Sequence, residues 1–124
     1  MDYFEKNNFL LLENFSYWEN KKLYLQLMEK FVNGKIDGTD FNREFYRMWK
    51  VDRDKNYSLK ELFDKIEDEK LTELEGFSAL ISGLFTDCDI FEAESAWRED
   101  YEISEEELRK CVKKTLVEIK NRYP

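Results

Sequence analysis

Pro124, the last residue, is the only proline in the chain, and the apolar residues before it recur every three or four positions rather than every two. No other feature narrows the fold as much. A period near 3.6 puts these residues on one face of successive α-helices, and no stretch alternates as a half-buried strand would. Four stripes stand out. Tyr17, Trp18, Tyr24, Leu25, Met28, Phe31 and Val32 mark a helix over 17–32. Ser16 serves as its N-cap, with Glu19 completing a capping box, and Asn33-Gly34 is its stop. Phe41, Phe45, Met48 and Trp49 mark a second helix over about 40–51, capped by Thr39 or Asp40. Leu74, Phe77, Ile81, Leu84, Cys88 and Phe91 mark another over 71–88. Gly76 and Gly83 within it point to close approach of neighbouring helices. Leu108, Cys111, Val112, Leu116 and Ile119 mark the last helix. Ser104 and Glu107 form its capping box, and Ile103 faces Leu108 as a hydrophobic staple. Between the second and third stripes, Ser58 caps a short helix carrying Leu59, Leu62, Phe63 and Ile66.

The expected fold is therefore all-α, an antiparallel bundle of four to five helices. It forms one domain over residues 1–124, with 1–16 as an N-terminal arm. Trp18, Phe45, Trp49, Phe77, Leu84 and Leu116 share its core. With 42% hydrophobic residues the chain can bury such a core. Phe9-Leu10-Leu11-Leu12 is too short to span a bilayer and has no basic flank of the signal-peptide kind. The reading is a cytoplasmic monomer. Cys88 and Cys111 fall at core spacing on two helices. They read either as a disulfide or, more commonly for two cysteines in a well-cored domain, as reduced thiols.

Charge is distributed unevenly. Asp87 to Glu107 carries ten carboxylates and Arg98, a net −9, in a chain whose total is −8. The remainder is close to neutral, so the acidity is a local patch. Such a patch opposes direct nucleic-acid binding and binding to an anionic membrane, and it attracts a basic partner. A solvated loop between helices would also be acidic, but two details favour docking. Asp87, Asp89 and Glu92 sit at or just past a helix C-terminus, where negative charge opposes the dipole and stability alone would select Lys or Arg. Phe91, Trp97 and Tyr101 lie among the charges, as interface anchors do, although Phe91 reads better as core. The candidate partner-binding residues are Asp87, Asp89, Glu92, Glu94, Glu99, Asp100 and Glu102.

Catalysis and metal binding find little support. The chain has no histidine, no CxxC pair and no glycine-rich phosphate loop. Asp52-Arg53-Asp54-Lys55-Asn56-Tyr57-Ser58-Leu59 begins like a calcium-binding EF-hand loop. It then places Tyr57 where glycine makes the sharp turn and Phe63 where a bidentate glutamate closes the site. No metal, cofactor or catalytic residue is assigned.

Four stretches resemble the small helical immunity proteins of the colicin D type, a family that includes immunity partners of contact-dependent growth inhibition toxins. They are Phe31-Val32-Asn33-Gly34-Lys35-Ile36 leading into Phe41-Asn42-Arg43-Glu44-Phe45; Gly83-Leu84-Phe85; Asp89-Ile90-Phe91-Glu92-Ala93-Glu94; and Tyr101-Glu102-Ile103-Ser104 with Leu108. Together they span about residues 20–120. The resemblance implies an inhibitor whose acidic residues, in place of tRNA phosphates, meet the basic active site of a cognate tRNA-cleaving toxin. By position that role falls on Asp89, Glu92 and Glu94, with Asp87, Glu99, Asp100 and Glu102 in support. The arm 1–16, the segment 52–70 and a slightly longer 94–101 loop depart from the family pattern. The other reading of the composition is an acidic helical adaptor docking on a larger basic assembly.

Overall fold

The structure is a computed structural model that describes residues 15–54 and 71–123. The reading of residues 1–14, the Ser58-capped helix and the latter part of the EF-hand-like loop fall outside the described residues. Among the described residues four α-helices run over bounded stretches: α1 (Lys21–Val32), α2 (Gly38–Arg53), α3 (Leu71–Asp89) and α4 (Glu105–Arg122). A 3₁₀ turn over Ser95–Trp97 lies between α3 and α4. Residues 15–19 make a further helical turn ahead of α1. The described residues contain no strand, only a single bridge pairing Phe91 with Ile103. The fold is an all-α bundle, as the stripes predict. Helices α2 and α4 each pack against the other three.

The stripes become the core. Met28, Phe31, Phe41, Phe45, Phe77, Ile81, Leu84, Leu108, Val112 and Ile119 are fully buried, and Leu116 nearly so. Phe41 is sandwiched between Phe31, at 4.7 Å between ring centroids, and Phe45, at 5.9 Å. Phe77 meets Trp18 edge-on at 5.8 Å and Tyr24 at 6.5 Å. Trp18 and Trp49 are half-buried and pack on this core from its margin.

Local signals fix several boundaries. Helix α1 ends in a Schellman motif. Gly34 takes φ +75°, its N–H donates to Phe31 O, and the Lys35 N–H donates to Lys30 O. Helix α4 begins with the full Ser104/Glu107 capping box. Two other starts differ from the sequence reading. Ser16 is not an N-cap: it is buried inside the helical turn at 15–19, because Phe15 and Tyr17 on either side are drawn into the core. Helix α2 opens at Gly38, with Asp37 rather than Thr39 or Asp40 as its cap, accepting from the Asp40 N–H at 2.8 Å. The Gly38 N–H donates to the Glu105 carboxylate across the bundle. Gly38 also lies tight against its neighbours: a Cβ there would fall 2.8 Å from the Phe91 ring and 3.0 Å from Glu105. Of the two glycines in α3, Gly76 packs under the Tyr123 hydroxyl, whereas Gly83 has open space beside it.

Between the two helical segments Asn20 forms a turn. Its side chain does not cap α1. It donates to Asp52 Oδ1 at 2.6 Å, and the Tyr24 hydroxyl donates to Asp52 Oδ2, also at 2.6 Å. Asp52 is 2% exposed. The first residue of the EF-hand-like stretch is thus a buried tie between α1 and α2, with both carboxylate oxygens engaged. Burial, reinforced by the Asp52 carboxylate, pushes the Tyr24 hydroxyl far above the ordinary tyrosine range, so it remains a donor. Tyr24→Phe keeps the ring and removes one hydrogen bond to a buried charge. The expected cost is about 1.5–3 kcal/mol of unfolding free energy, measured by urea denaturation with an unchanged helical circular dichroism spectrum.

Candidate functional site

The acidic segment leaves α3, crosses the end of the bundle and returns into α4. Its two ends are stitched together. The Ile103 N–H donates to Ile90 O at 2.7 Å and the Glu92 N–H to Ile103 O at 3.0 Å, pairing Phe91 with Ile103 in parallel. Phe91 and Ile103 also pack on the core. The loop is therefore anchored by backbone bonds and by two apolar side chains. Arg98, the one cation of the segment, braces it from within: Nε donates to Glu92 O at 3.0 Å and Nη2 to Ala93 O at 3.2 Å. A turn closes over 99–102 through the Glu102 N–H and Glu99 O. A loop whose backbone polar groups are paired internally holds its side chains in place before any partner arrives.

The seven candidate acids occupy different positions on this frame. Asp89, Glu94, Glu99 and Asp100 are exposed, and Asp87, Glu92 and Glu102 are half-buried. Glu102 accepts from the Glu99 N–H at 2.9 Å, so its carboxylate helps shape the turn. Asp87 and Asp89, two residues apart on a helix, point to different sides of it. The charge of Asp87 is felt at Cys88 and at Cys111 on α4, whereas Asp89 lines a groove against α2. Helix α3 carries no basic residue in its last turn. The charges opposing its dipole are thus uncompensated from within the helix, as the sequence implies.

Partial burial pushes the Asp87 carboxyl above its usual range. A raised acid pKa means that the folded state disfavours the charged form. The penalty is absent when carboxyls are protonated, grows as pH rises through the carboxylate range, and is complete at neutral pH. Asp87→Asn is expected to stabilise the fold at neutral pH by about 0.3–1 kcal/mol, the scale of a helix-end charge, and to have almost no effect at low pH. Paired denaturation curves at the two pH values measure this.

The aromatic residues divide. Phe91 turns inward, as its place in the α3 stripe predicts, while Trp97 is 73% exposed and Tyr101 71% exposed. Two large rings held in water on a braced, acid-rich loop have no role in the core. The cysteines are free thiols. Burial and the Asp87 charge push the Cys88 thiol up to about 12, and Cys111 is raised by the same causes, so both stay protonated and poorly nucleophilic. The described residues contain no cluster of His, Cys, Asp and Glu able to hold a metal, and none of their helices is long and apolar enough to cross a membrane.

Two features were not legible in the sequence. Glu105 lies in the acidic run but is committed to the Gly38 N–H, with Arg109 Nη2 at 3.5 Å from its other oxygen. The second is the groove of about 460 Å³ between α2 and α3, lined by Thr39, Asn42, Tyr46, Phe85, Asp89 and Phe91 among others. Its one signal is the extra aromatic beside each stripe, Tyr46 next to Phe45 and Phe85 next to Leu84.

The family model of bacterial self-protective colicin-like immunity matches residues 21–119, from the start of α1 to the buried Ile119 near the end of α4. No curated protein and no solved structure matches the chain significantly. The match takes in all four helices and the acidic loop between α3 and α4, and on that extent the chain belongs to the family of bacterial colicin-like immunity proteins.

Proposed function

We propose that this immunity protein neutralises a ribonuclease toxin of the tRNA-cleaving class, acting in the cytosol as a monomer that plugs the toxin's basic active site. Family membership supports toxin neutralisation in general. The observation that carries the finer reading is the braced loop over 90–103. It holds Glu92, Glu94, Glu99 and Asp100 around exposed Trp97 and Tyr101, with Asp89 at its root. A tRNase must bind a polyanion, so its active site is lined with Lys and Arg. Carboxylates fixed on a scaffold can occupy such a site while losing little conformational entropy on docking. Opposed fields also speed capture toward about 10⁸–10⁹ M⁻¹s⁻¹ at low salt, which suits an inhibitor that must reach new toxin before RNA is cut.

The test is to look beside this chain's gene for a reading frame ending in a compact basic nuclease domain and to co-express the two. Cells are expected to survive, their tRNA to stay intact, and the two proteins to co-purify one to one. Association should slow with added salt more than dissociation quickens. Survival without a complex, or a complex with a toxin that leaves RNA untouched, would remove the nuclease reading.

A further inference from the structure

The groove between α2 and α3 lies beside the acidic loop and shares Asp89 with the reading above, which leaves its aromatic walls without a role. Its walls are aromatic. Phe85 stacks on Trp49 at 4.1 Å and 22°, and Tyr46 lies nearly parallel to both, 6.4 Å from Phe85 and 6.1 Å from Trp49. The outer end of this slab already carries a guanidinium, for Arg53 sits over the Trp49 ring at 4.8 Å. The inner end, formed by Tyr46 and Phe85, opens into the groove, where Phe91 forms the far side and Asp89 and Asn42 supply oxygen acceptors.

The electrostatics of the groove are one-sided. The positive pole of α2 is already answered by Asp37 at its cap and by Glu105 on the Gly38 N–H. Arg43, which also lines the groove, is held by Asp40 at 2.8 Å. On the opposite wall the negative pole of α3 has no basic residue in its last turn, and Asp89 pairs with no cation among the described residues. An aromatic face with a carboxylate at its edge and a helix C-terminus behind it is complementary to a planar cation. A guanidinium stacks on the ring and bonds the carboxylate through its fork, which an ammonium does less well.

We propose that this groove receives an arginine side chain of the toxin, as a second point of attachment beside the acidic loop. The source of that arginine rests on the immunity reading; the chemistry of the groove does not. Two measurements separate them. In the first, N-acetyl-arginine amide is titrated into the isotope-labelled protein and followed by amide chemical shifts, with N-acetyl-lysine amide as the comparison. Saturable shifts are expected at Asn42, Tyr46, Phe85 and Asp89, larger for arginine than for lysine. They should weaken at least fivefold in Asp89→Asn and in Thr39→Trp, the latter placing a ring in the groove mouth from an exposed position. Shifts confined to residues 92–102, or equal for the two amides, would overturn the groove. In the second, toxin dissociation is measured for the wild type and both variants. Dissociation at least tenfold faster in each supports the proposal. Unchanged dissociation from a toxin that binds the wild type overturns it while leaving the immunity reading intact. A toxin that fails to bind the wild type refutes that reading and, with it, the occupant named here.

Discussion

Replacing Asp89, Glu92 and Glu94 together with alanine is expected to cost several kcal/mol of toxin affinity while leaving the fold intact. Close charge pairs at interfaces of this kind couple by about 1.5–7 kcal/mol each, and removing one partner leaves the other buried without a counter-charge. The fold should survive because these side chains hold none of it. Asp89 and Glu94 are exposed, and Glu92 supports the loop through its backbone, donating its N–H to Ile103 and offering its carbonyl to Arg98, both of which alanine retains. Losing Asp89 also relieves the C-terminal end of α3. A control that removes Glu67, Asp68 and Glu69, which lie outside the described residues and outside the acidic run in sequence, carries the same charge change and is expected to cost much less affinity. Association and dissociation rates for the two triple variants, measured against the cognate toxin at two salt concentrations, distinguish these effects. Full protection of cells by the Asp89/Glu92/Glu94 variant would mean that the plug has been placed on the wrong residues.

The other large effect is on stability. Phe41→Ala should destabilise the fold by about 3–5 kcal/mol, the usual cost of emptying an aromatic site in a close-packed core. Phe41 is fully buried and sandwiched between Phe31 and Phe45. Its neighbours cannot collapse into the space easily, because Phe31 is itself pinned. The Arg109 guanidinium lies over its ring at 4.7 Å and donates to its carbonyl at 3.2 Å. Against a typical total of about 5–15 kcal/mol, that loss removes a large share of the stability. Thermal and urea unfolding would show it directly. Toxin association measured on the folded fraction should stay near the wild-type rate, since Phe41 is wholly buried and offers a partner no surface. The two variants thus fail in opposite ways: one folds and does not bind, the other binds only while it remains folded.

Phe91 shows how far the sequence reaches into the candidate site. Its place in the α3 stripe is enough to turn it inward, and the helix-end position of Asp87 and Asp89 follows from where that stripe stops. The acids themselves are visible only as a run of like charges. Nothing in their order reveals that Glu102 shapes a turn, that Glu105 is taken by Gly38, or that Asp89 faces an aromatic groove against α2.

What the sequence determined alone was decided within about one helical turn, although not every local bond was legible: the Asp37 cap and the Glu99–Glu102 turn were not. The spacing of apolar residues set the four helices, Gly34 set the end of α1, and the reciprocal bonds of Ser104 and Glu107 set the start of α4. These interactions join residues at most five apart, so the local order contains both partners. Tertiary structure decided the rest. Asn20 gave up a cap to reach Asp52, Ser16 was drawn into the core with Phe15 and Tyr17, and Gly38 gained an acceptor 67 positions away in Glu105. The aromatic groove exists because Tyr46 and Phe85, each beside a stripe rather than in it, are brought face to face when α2 packs on α3. A buried polar group takes whichever partner the packed helices present, and that partner is set by the arrangement of whole helices rather than by neighbouring residues.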